Sequence, residues 1–305
     1  MSLLKKIIVG FLLIMAIFVA IGTVYGLQVY RQMEKAALDM HQPIEGREEA
    51  VVIENSEPMS LLLLGIANDA KRKTDYRANS IMVVTVHPEN GRTTITSVPR
   101  DAYVEIVGMG YYDKINHAHS FGGTEMMVNT IESYLEIPIH HYLSINMDGL
   151  ADLVDAIGGV TVDNQFAFTA ENIDYPEGTL YLNGWEALQY TRMRKDDPEG
   201  DYGRQRRQRE VTQIIAEHMI SFSGVAQIPE FLSIIGDNGE TDLTLNQMTR
   251  LFTQYQNALS EIELFQMVGE GFTGDGFKGE AGISYQEVSL EELNLTKERL
   301  QQDLQ

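Results

Sequence analysis

The chain has no cysteine, which excludes a disulfide framework and any thiolate metal site. Its seven histidines include the pairs His117/His119 and His140/His141, yet no HExxH or similar ligand spacing occurs. They read as loop or strand positions rather than zinc ligands. Positive charge is also scarce: 23 Lys and Arg stand against 44 Asp and Glu, a formal net charge of -21. Duplex DNA binding rests on a basic footprint, so this balance argues strongly against a nucleic-acid partner. No internal repeat is found. What is present, 305 residues with 44% hydrophobic content, suffices for one substantial core, or one core with a small appendage.

Against the acidic background, six of the fourteen arginines fall between Arg192 and Arg209, in TRMRKDDPEGDYGRQRRQRE. Arg204, Arg206, Arg207 and Arg209 lie where a helix should begin, because Val211, Ile214, Ile215, Ile220 and Phe222 follow at helical spacing. Cations there oppose the helix dipole at roughly 0.3–1 kcal/mol each, whereas a bound phosphate would meet guanidinium forks and free N–H groups together. The bland alternative pairs these arginines with Asp196, Asp197, Glu199, Asp201 and Glu210 on a solvated surface.

Residues 1–6 carry Lys5 and Lys6, and residues 7–27 run 21 positions without a charge. That length spans a bilayer as a helix, and the positive-inside rule leaves the N-terminus cytoplasmic and the remainder extracytoplasmic. A cleaved signal peptide is the alternative, with Ala20-Ile21-Gly22 as the cleavage site, but the apolar run continues past it. Residues 28–58 read as a polar stalk with a short helix over 29–40.

The fold proper begins at Met59. Strands are expected over 60–65, 81–86 and 93–98, the last two joined by a turn containing Asn90-Gly91. A helix over 125–135, a strand over 142–145, a helix over 150–157 ending at Gly158-Gly159, a strand over 160–162 resuming the sheet, and a helix over 183–192 follow. This alternation predicts an α/β fold, an α-β-α sandwich around a mixed central sheet, preceded by one transmembrane helix. Residues 59–222 form the main domain; residues 223–305 lack core-building strands and lean on it as C-terminal elements.

Arg100 and Asp101 follow a strand and so lie at its carboxyl edge, where open α/β sheets gather ligands. Lys114 and Asn116 share a loop, and Asn68 to Ser80 form another carrying Asp69, Asp75 and Arg77. Arg204 and Gln208 share a helical face that continues as Val211 and Ile215, a polar head with an apolar track suited to a lipid phosphate.

The ordered segments SVPRDAYVEIVG, DKINHAHSFGG, GLADLVDAIGGVTV, LNGWEALQYTRMR and GDYGRQRRQ resemble the LytR-CpsA-Psr family of cell-wall glycopolymer transferases across about 59–222. The resemblance implies a membrane-anchored extracytoplasmic phosphotransferase. Such an enzyme moves an anionic glycopolymer of teichoic-acid or capsule type from a polyprenyl diphosphate carrier to peptidoglycan. It implies that Arg100, Arg192, Arg194, Arg204 and Gln208 hold the diphosphate, with Asp201 in the same cluster. Lys114 joins the expected diphosphate ligands; Arg100, Asp101 and Asp201 are the expected catalytic residues, Asp101 being the candidate base. Bridging Mg²⁺ or Mn²⁺ is expected by the same resemblance. Here the chain departs from the family pattern, with Ala67 and Asn79 where that pattern has aspartates. Asp69 or Asp75 is then expected to hold the metal. The competing reading is a catalytically silent polyprenyl-diphosphate binder that regulates wall assembly.

Overall fold

The computed structural model describes residues 3–44, 57–68, 74–220, 222–276 and 279–305, with side chains from residue 22 onward except 220–226. Helix α1 (Leu3–Met40) precedes β1 (Met59–Ile66), the hairpin of β2 (Ala78–His87) and β3 (Arg92–Ser97), and a small hairpin of β4 (Tyr103–Glu105) and β5 (Tyr112–Lys114). Next come α2 (His117–Leu135), β6 (His141–Asn146), α3 (Met147–Ala156), β7 (Val160–Asn164), β8 (Phe168–Ala170), β9 (Ile173–Tyr175) and β10 (Gly178–Leu182). The chain continues through α4 (Gly184–Arg192), α5 (Asp201–Ile220), α6 (Phe222–Asn238), β11 (Gly239–Thr241) and α7 (Leu245–Gln254). It ends with β12 (Glu261–Gln266), the hairpin β13 (Glu270–Gly274) and β14 (Ile283–Glu287), and α8 (Leu290–Asp303).

The central sheet runs β11-β6-β1-β2-β3-β12. Pairings β1–β6 and β3–β12 are parallel and the others antiparallel, so the sheet is mixed as the hairpin at Gly91 predicts. Gly91 takes φ +66 there, a conformation that costs glycine nothing. Side chains alternate across each strand, so β1 feeds two cores. Leu62 and Leu64 pack with Met127, Ile131 and Leu135 of α2 and Leu300 of α8. Leu61 and Leu63 face Val211 and Ile215 of α5 and Phe231 and Leu232 of α6. The result is a three-layer α/β/α sandwich.

Four expectations need correction. Residues 223–305 do more than lean on the domain, since β11 and β12 form both edges of its sheet. Asp303 is buried at the chain's end, where it receives Thr85 Oγ1 at 2.8 Å and pairs with Arg92. The strand at 160–162 does not resume the central sheet; it pairs with β10 in a separate two-stranded ribbon. The first part of the expected stalk, residues 28–40, is the end of α1 and docks: Met40 is 1% exposed, Ala37 is buried, and Gln42 N–H donates to Thr241 O at 2.8 Å. Finally, α2 starts at His117, placing His117 and His119 on a helix, and is broken at Gly122-Gly123, where Gly123 takes φ +64. Among the described residues no helix is long and apolar enough to cross a membrane. The expected span at 7–27 lies, up to residue 21, outside the residues whose side chains are described.

Candidate active site

Helix α5 opens at Asp201, three residues earlier than the arginine run suggests, so a carboxylate occupies the first turn, where the helix dipole favours negative charge. Arg204, one turn on and 4% exposed, grips it with a fork: Nε donates to Oδ1 and Nη2 to Oδ2, each at 3.0 Å. The third arm of Arg204, Nη1, donates to the main-chain oxygen of Asn79 at 2.9 Å. From the carboxyl edge of β3, Arg100 reaches the same two residues, its Nη1 donating to Asn79 Oδ1 at 2.8 Å and its Nη2 lying 3.3 Å from Asp201 Oδ1. Arg194, half-exposed beyond α4, approaches Asp201 Oδ1 at 4.0 Å. Lys114 of β5 closes the circle, with Nζ 3.1 Å from Asp101 Oδ1.

The electrostatics of this cluster follow from burial and crowding. Burial alone would push the Asp201 carboxyl up, but the charges of Arg204 and Arg100, with hydrogen bonds from Arg204 and Gln205, outweigh it and hold the group below its ordinary value. Asp201 is therefore ionised at neutral pH and a poor proton acceptor; it positions guanidinium groups. Arg100 is pushed down by burial, then by the like charge of Arg204. Two guanidinium groups held close and largely out of water favour an anion between them. Polar atoms left without partners lie on the residues of this region: Arg100 Nε, Ser97 Oγ and Gln208 Oε1 are buried and make no hydrogen bond. Such atoms are costly unless something meets them.

Arg100, Asp101, Lys114, Arg194, Asp201 and Arg204 are thus brought together. Gln208 lies one turn beyond Arg204, its Nε2 donating to Thr191 O at 3.5 Å. Arg192 sits half-buried in the last turn of α4. The other arginines of the run divide. Arg207, 2% exposed, is a structural clamp: it donates to Tyr190 O, Met193 O and Asp197 Oδ2, and lies over the Phe168 and Tyr190 rings at 5.6 and 5.5 Å. Arg206 pairs with Glu199 at 3.3 Å on the surface. Arg209 is buried with an amide for its hydrogen-bond partner, Gln266 Oε1. Gln266 Nε2 donates to Gln205 Oε1 at 3.0 Å, and Gln205 Nε2 to Asp201 Oδ2 at 3.1 Å. This amide relay has no sequence signature, because β12 lies some sixty positions away.

Farther along α5, Thr212, Ala216 and Met219 line an apolar cavity of about 300 Å³ between the helix layer and the sheet. Leu63, Val84 and Ile95 supply its floor, and Phe231 and Ile235 of α6 part of its wall. The part of α5 that lines the cavity is therefore positions 212, 216 and 219. Val211 and Ile215, which share the face of Arg204 and Gln208, are buried in the core cluster that surrounds the cavity. A difference of one residue, 100° around the helix, separates the two faces.

A divalent cation fits the described donors poorly. Ala67 is fully buried and offers no ligand, and Asn79 Oδ1 is occupied by Arg100. Asp75 accepts Arg77 Nε and Nη2, each at 2.8 Å, while Asp101 and Asp201 are engaged by cations. No group of three His, Cys, Asp or Glu able to hold a metal occurs among the described residues. Asp69 lies outside them.

The profile of the LytR_cpsA_psr family matches residues 27–302. The chain belongs to that family. It is 42% identical over 272 residues to the polyisoprenyl-teichoic acid–peptidoglycan teichoic acid transferase TagU of Bacillus mycoides, with 88% of this chain and 89% of the relative covered. A solved Enterococcus faecalis structure described as a transcriptional regulator is 39% identical with a TM-score of 0.72, covering 83% of this chain and 90% of that one. The structure of TagT bound to LIIa-WTA is 30% identical with a TM-score of 0.70, covering 87% and 99%. The family match reaches well past position 222, consistent with β11 and β12 belonging to the LytR_cpsA_psr sheet.

Proposed function

We propose that this protein is a transferase that moves an anionic glycopolymer of teichoic-acid type from a polyprenyl diphosphate carrier to a peptidoglycan hydroxyl. The observation that carries the reading is the course of α5, which presents Arg204 and Gln208 at one end and the wall of an apolar cavity at the other. An amphiphile with a diphosphate head and a hydrocarbon tail matches both ends along a single helix. The relatives' teichoic acid activity supports the same reading.

In this mechanism Arg100 and Arg204 bind the diphosphate, each held in orientation by Asn79 and Asp201. An acceptor hydroxyl attacks the phosphorus that carries the glycopolymer, and polyprenyl phosphate leaves. Charge grows on the transferring and leaving oxygens, and fixed guanidinium donors stabilise it without titrating. Asp101 is the proposed base, since Asp201 is too strongly held by cations to take a proton. The end of α1 docks beside the cavity through Met40. An uncleaved anchor formed by residues 7–27 would then hold the cavity near the bilayer that supplies the lipid, with the acidic bulk of the chain outside.

The test is release of polyprenyl phosphate from a polyprenyl diphosphate-linked glycan by the full chain in detergent, with Mg²⁺, with Mn²⁺ and with EDTA. Wild type turns over, and Arg100→Ala lowers the rate by about 10²–10³, the cost of one transition-state donor. The commitment of Asp75, Asp101 and Asp201 to cations favours a second reading, a binder without turnover. Tight binding with no product in any of the three conditions would decide for that reading.

A further inference from the structure

The side of the site away from the cavity carries a group of aromatic rings that the transfer chemistry leaves unused. In the β4–β5 hairpin Tyr103 is paired with Lys114 and Glu105 with Tyr112, so these four side chains share one face while Val104 and Asp113 point inward. Tyr103 is 40% exposed and Tyr112 52% exposed, with ring centroids 5.4 Å apart. Beneath them the β13–β14 hairpin pairs Phe272 with Tyr285, stacked at 5.4 Å. Tyr103 meets both rings edge-on, at 5.4 and 5.0 Å. Tyr103 is thus braced by the buried Tyr285 and the half-buried Phe272, Tyr112 rests on Tyr103, and the exposed parts of both outer rings are held toward solvent at a hydrophobic cost.

This platform is continuous with the diphosphate cage. Lys114 Nζ, which pairs with Asp101, lies 5.7 Å from the centre of the Tyr285 ring. The Gln286 N–H donates to Asp101 O at 2.9 Å, fastening the second hairpin to the loop that carries Arg100. Whatever covers the rings therefore sits next to the reacting phosphate.

Charge and size select among occupants. Glu105, Glu270 and Glu287 are exposed on the two hairpins, so this face, unlike the arginine cage, disfavours a phosphate-rich polymer or an anionic bilayer. Two exposed rings fall far short of the roughly 800 Å² per partner of a stable protein interface. An uncharged sugar chain suits both features. The weakly positive C–H face of a pyranose seats on the negative face of an aromatic ring, and rim carboxylates accept its hydroxyl protons. We infer that Tyr103 and Tyr112 form a binding site for an uncharged glycan strand, the acceptor of the transfer. This deepens the reading above and rests on it for the word acceptor alone.

The experiment titrates the full chain in detergent with soluble β-1,4-linked N-acetylglucosamine oligomers by calorimetry, and separately measures hydrolysis of the lipid diphosphate donor to water. Wild type binds the oligomers, Tyr112→Ala weakens binding at least tenfold, and donor hydrolysis is unchanged. Tyr112→Leu, which keeps apolar bulk without an aromatic face, weakens binding similarly, whereas Tyr103→Phe keeps it. Failure of wild type to bind any oligomer, wild-type affinity in Tyr112→Ala or Tyr112→Leu, or slowed donor hydrolysis with intact glycan affinity would overturn the inference. Absence of donor turnover in wild type would instead count against the transferase reading and leave glycan binding measurable.

Discussion

Asn79 holds two of the three arginines of the cage, accepting Arg100 Nη1 on its side-chain oxygen at 2.8 Å and Arg204 Nη1 on its main-chain oxygen at 2.9 Å. Being neutral, it orients Arg100 without cancelling its charge. Asn79→Asp would add a carboxylate where Asp101 and Asp201 already compete for that guanidinium. In EDTA the variant should bind lipid diphosphate about tenfold more weakly, roughly 1.4 kcal/mol. Combined with Ala67→Asp it should become a cation site, so that Mg²⁺ raises the melting temperature and the turnover of the double variant more than those of wild type. Calorimetry and thermal melts with and without Mg²⁺ check both.

Two adjacent arginines of the run should behave oppositely. Arg207 is buried against Asp197, so Arg207→Ala strands a buried carboxylate and should cost about 3–5 kcal/mol. Arg206 is 39% exposed with a partner that is mostly exposed, and Arg206→Ala should change stability by less than about 1 kcal/mol. Denaturant unfolding of the two variants separates clamp from surface pair; equal losses would refute the assignment.

The Asp201 carboxyl titrates below its ordinary 3.8 in the folded chain. Its ionised form therefore stabilises the fold fully above that value, and the contribution disappears as pH falls through the lowered folded value. Asp201→Asn should lose this stabilisation at neutral pH and show a flatter decline on the acid side than wild type. Melting temperature followed downward from pH 5 provides the comparison.

Burial, and then the like charge of Arg206, push Arg209 down to about 10. A guanidinium displaced that far from 12.5 is a burden on the order of 3 kcal/mol while it stays charged. Arg209→Met should accordingly raise the melting temperature at neutral pH, which thermal melts of the two proteins check. A lower melting temperature would show that the relay through Gln266 and Gln205 outweighs the buried charge.

The cavity can be tested by filling it. Ala216 lines it from α5, and Ala216→Phe should raise KM for a long-chain polyprenyl donor while leaving a water-soluble short-chain analogue unaffected. Parallel kinetics on the two donors read out the difference, and equal effects on both would place the tail elsewhere.

Features written within a short window were legible from sequence alone. The hairpin turn at Asn90-Gly91, the glycine stop at Gly158-Gly159, where φ reaches +82 and +95, and the concentration of arginine in an acidic chain each depend on residues a few positions apart. The ordered motifs carried the family and the candidate cage. Only tertiary packing decided which arginines of one run join the cage at Asp201 and which brace the core, because Arg206, Arg207 and Arg209 differ by 100° steps around α5 and by what distant segments bring to each face. It likewise decided that β11 and β12 complete the sheet, that Ala216 rather than Ile215 lines the apolar cavity, and that two hairpins some 170 positions apart build one aromatic face. Those outcomes are contacts between segments far apart in the chain, and their energy comes from burial that no local pattern encodes.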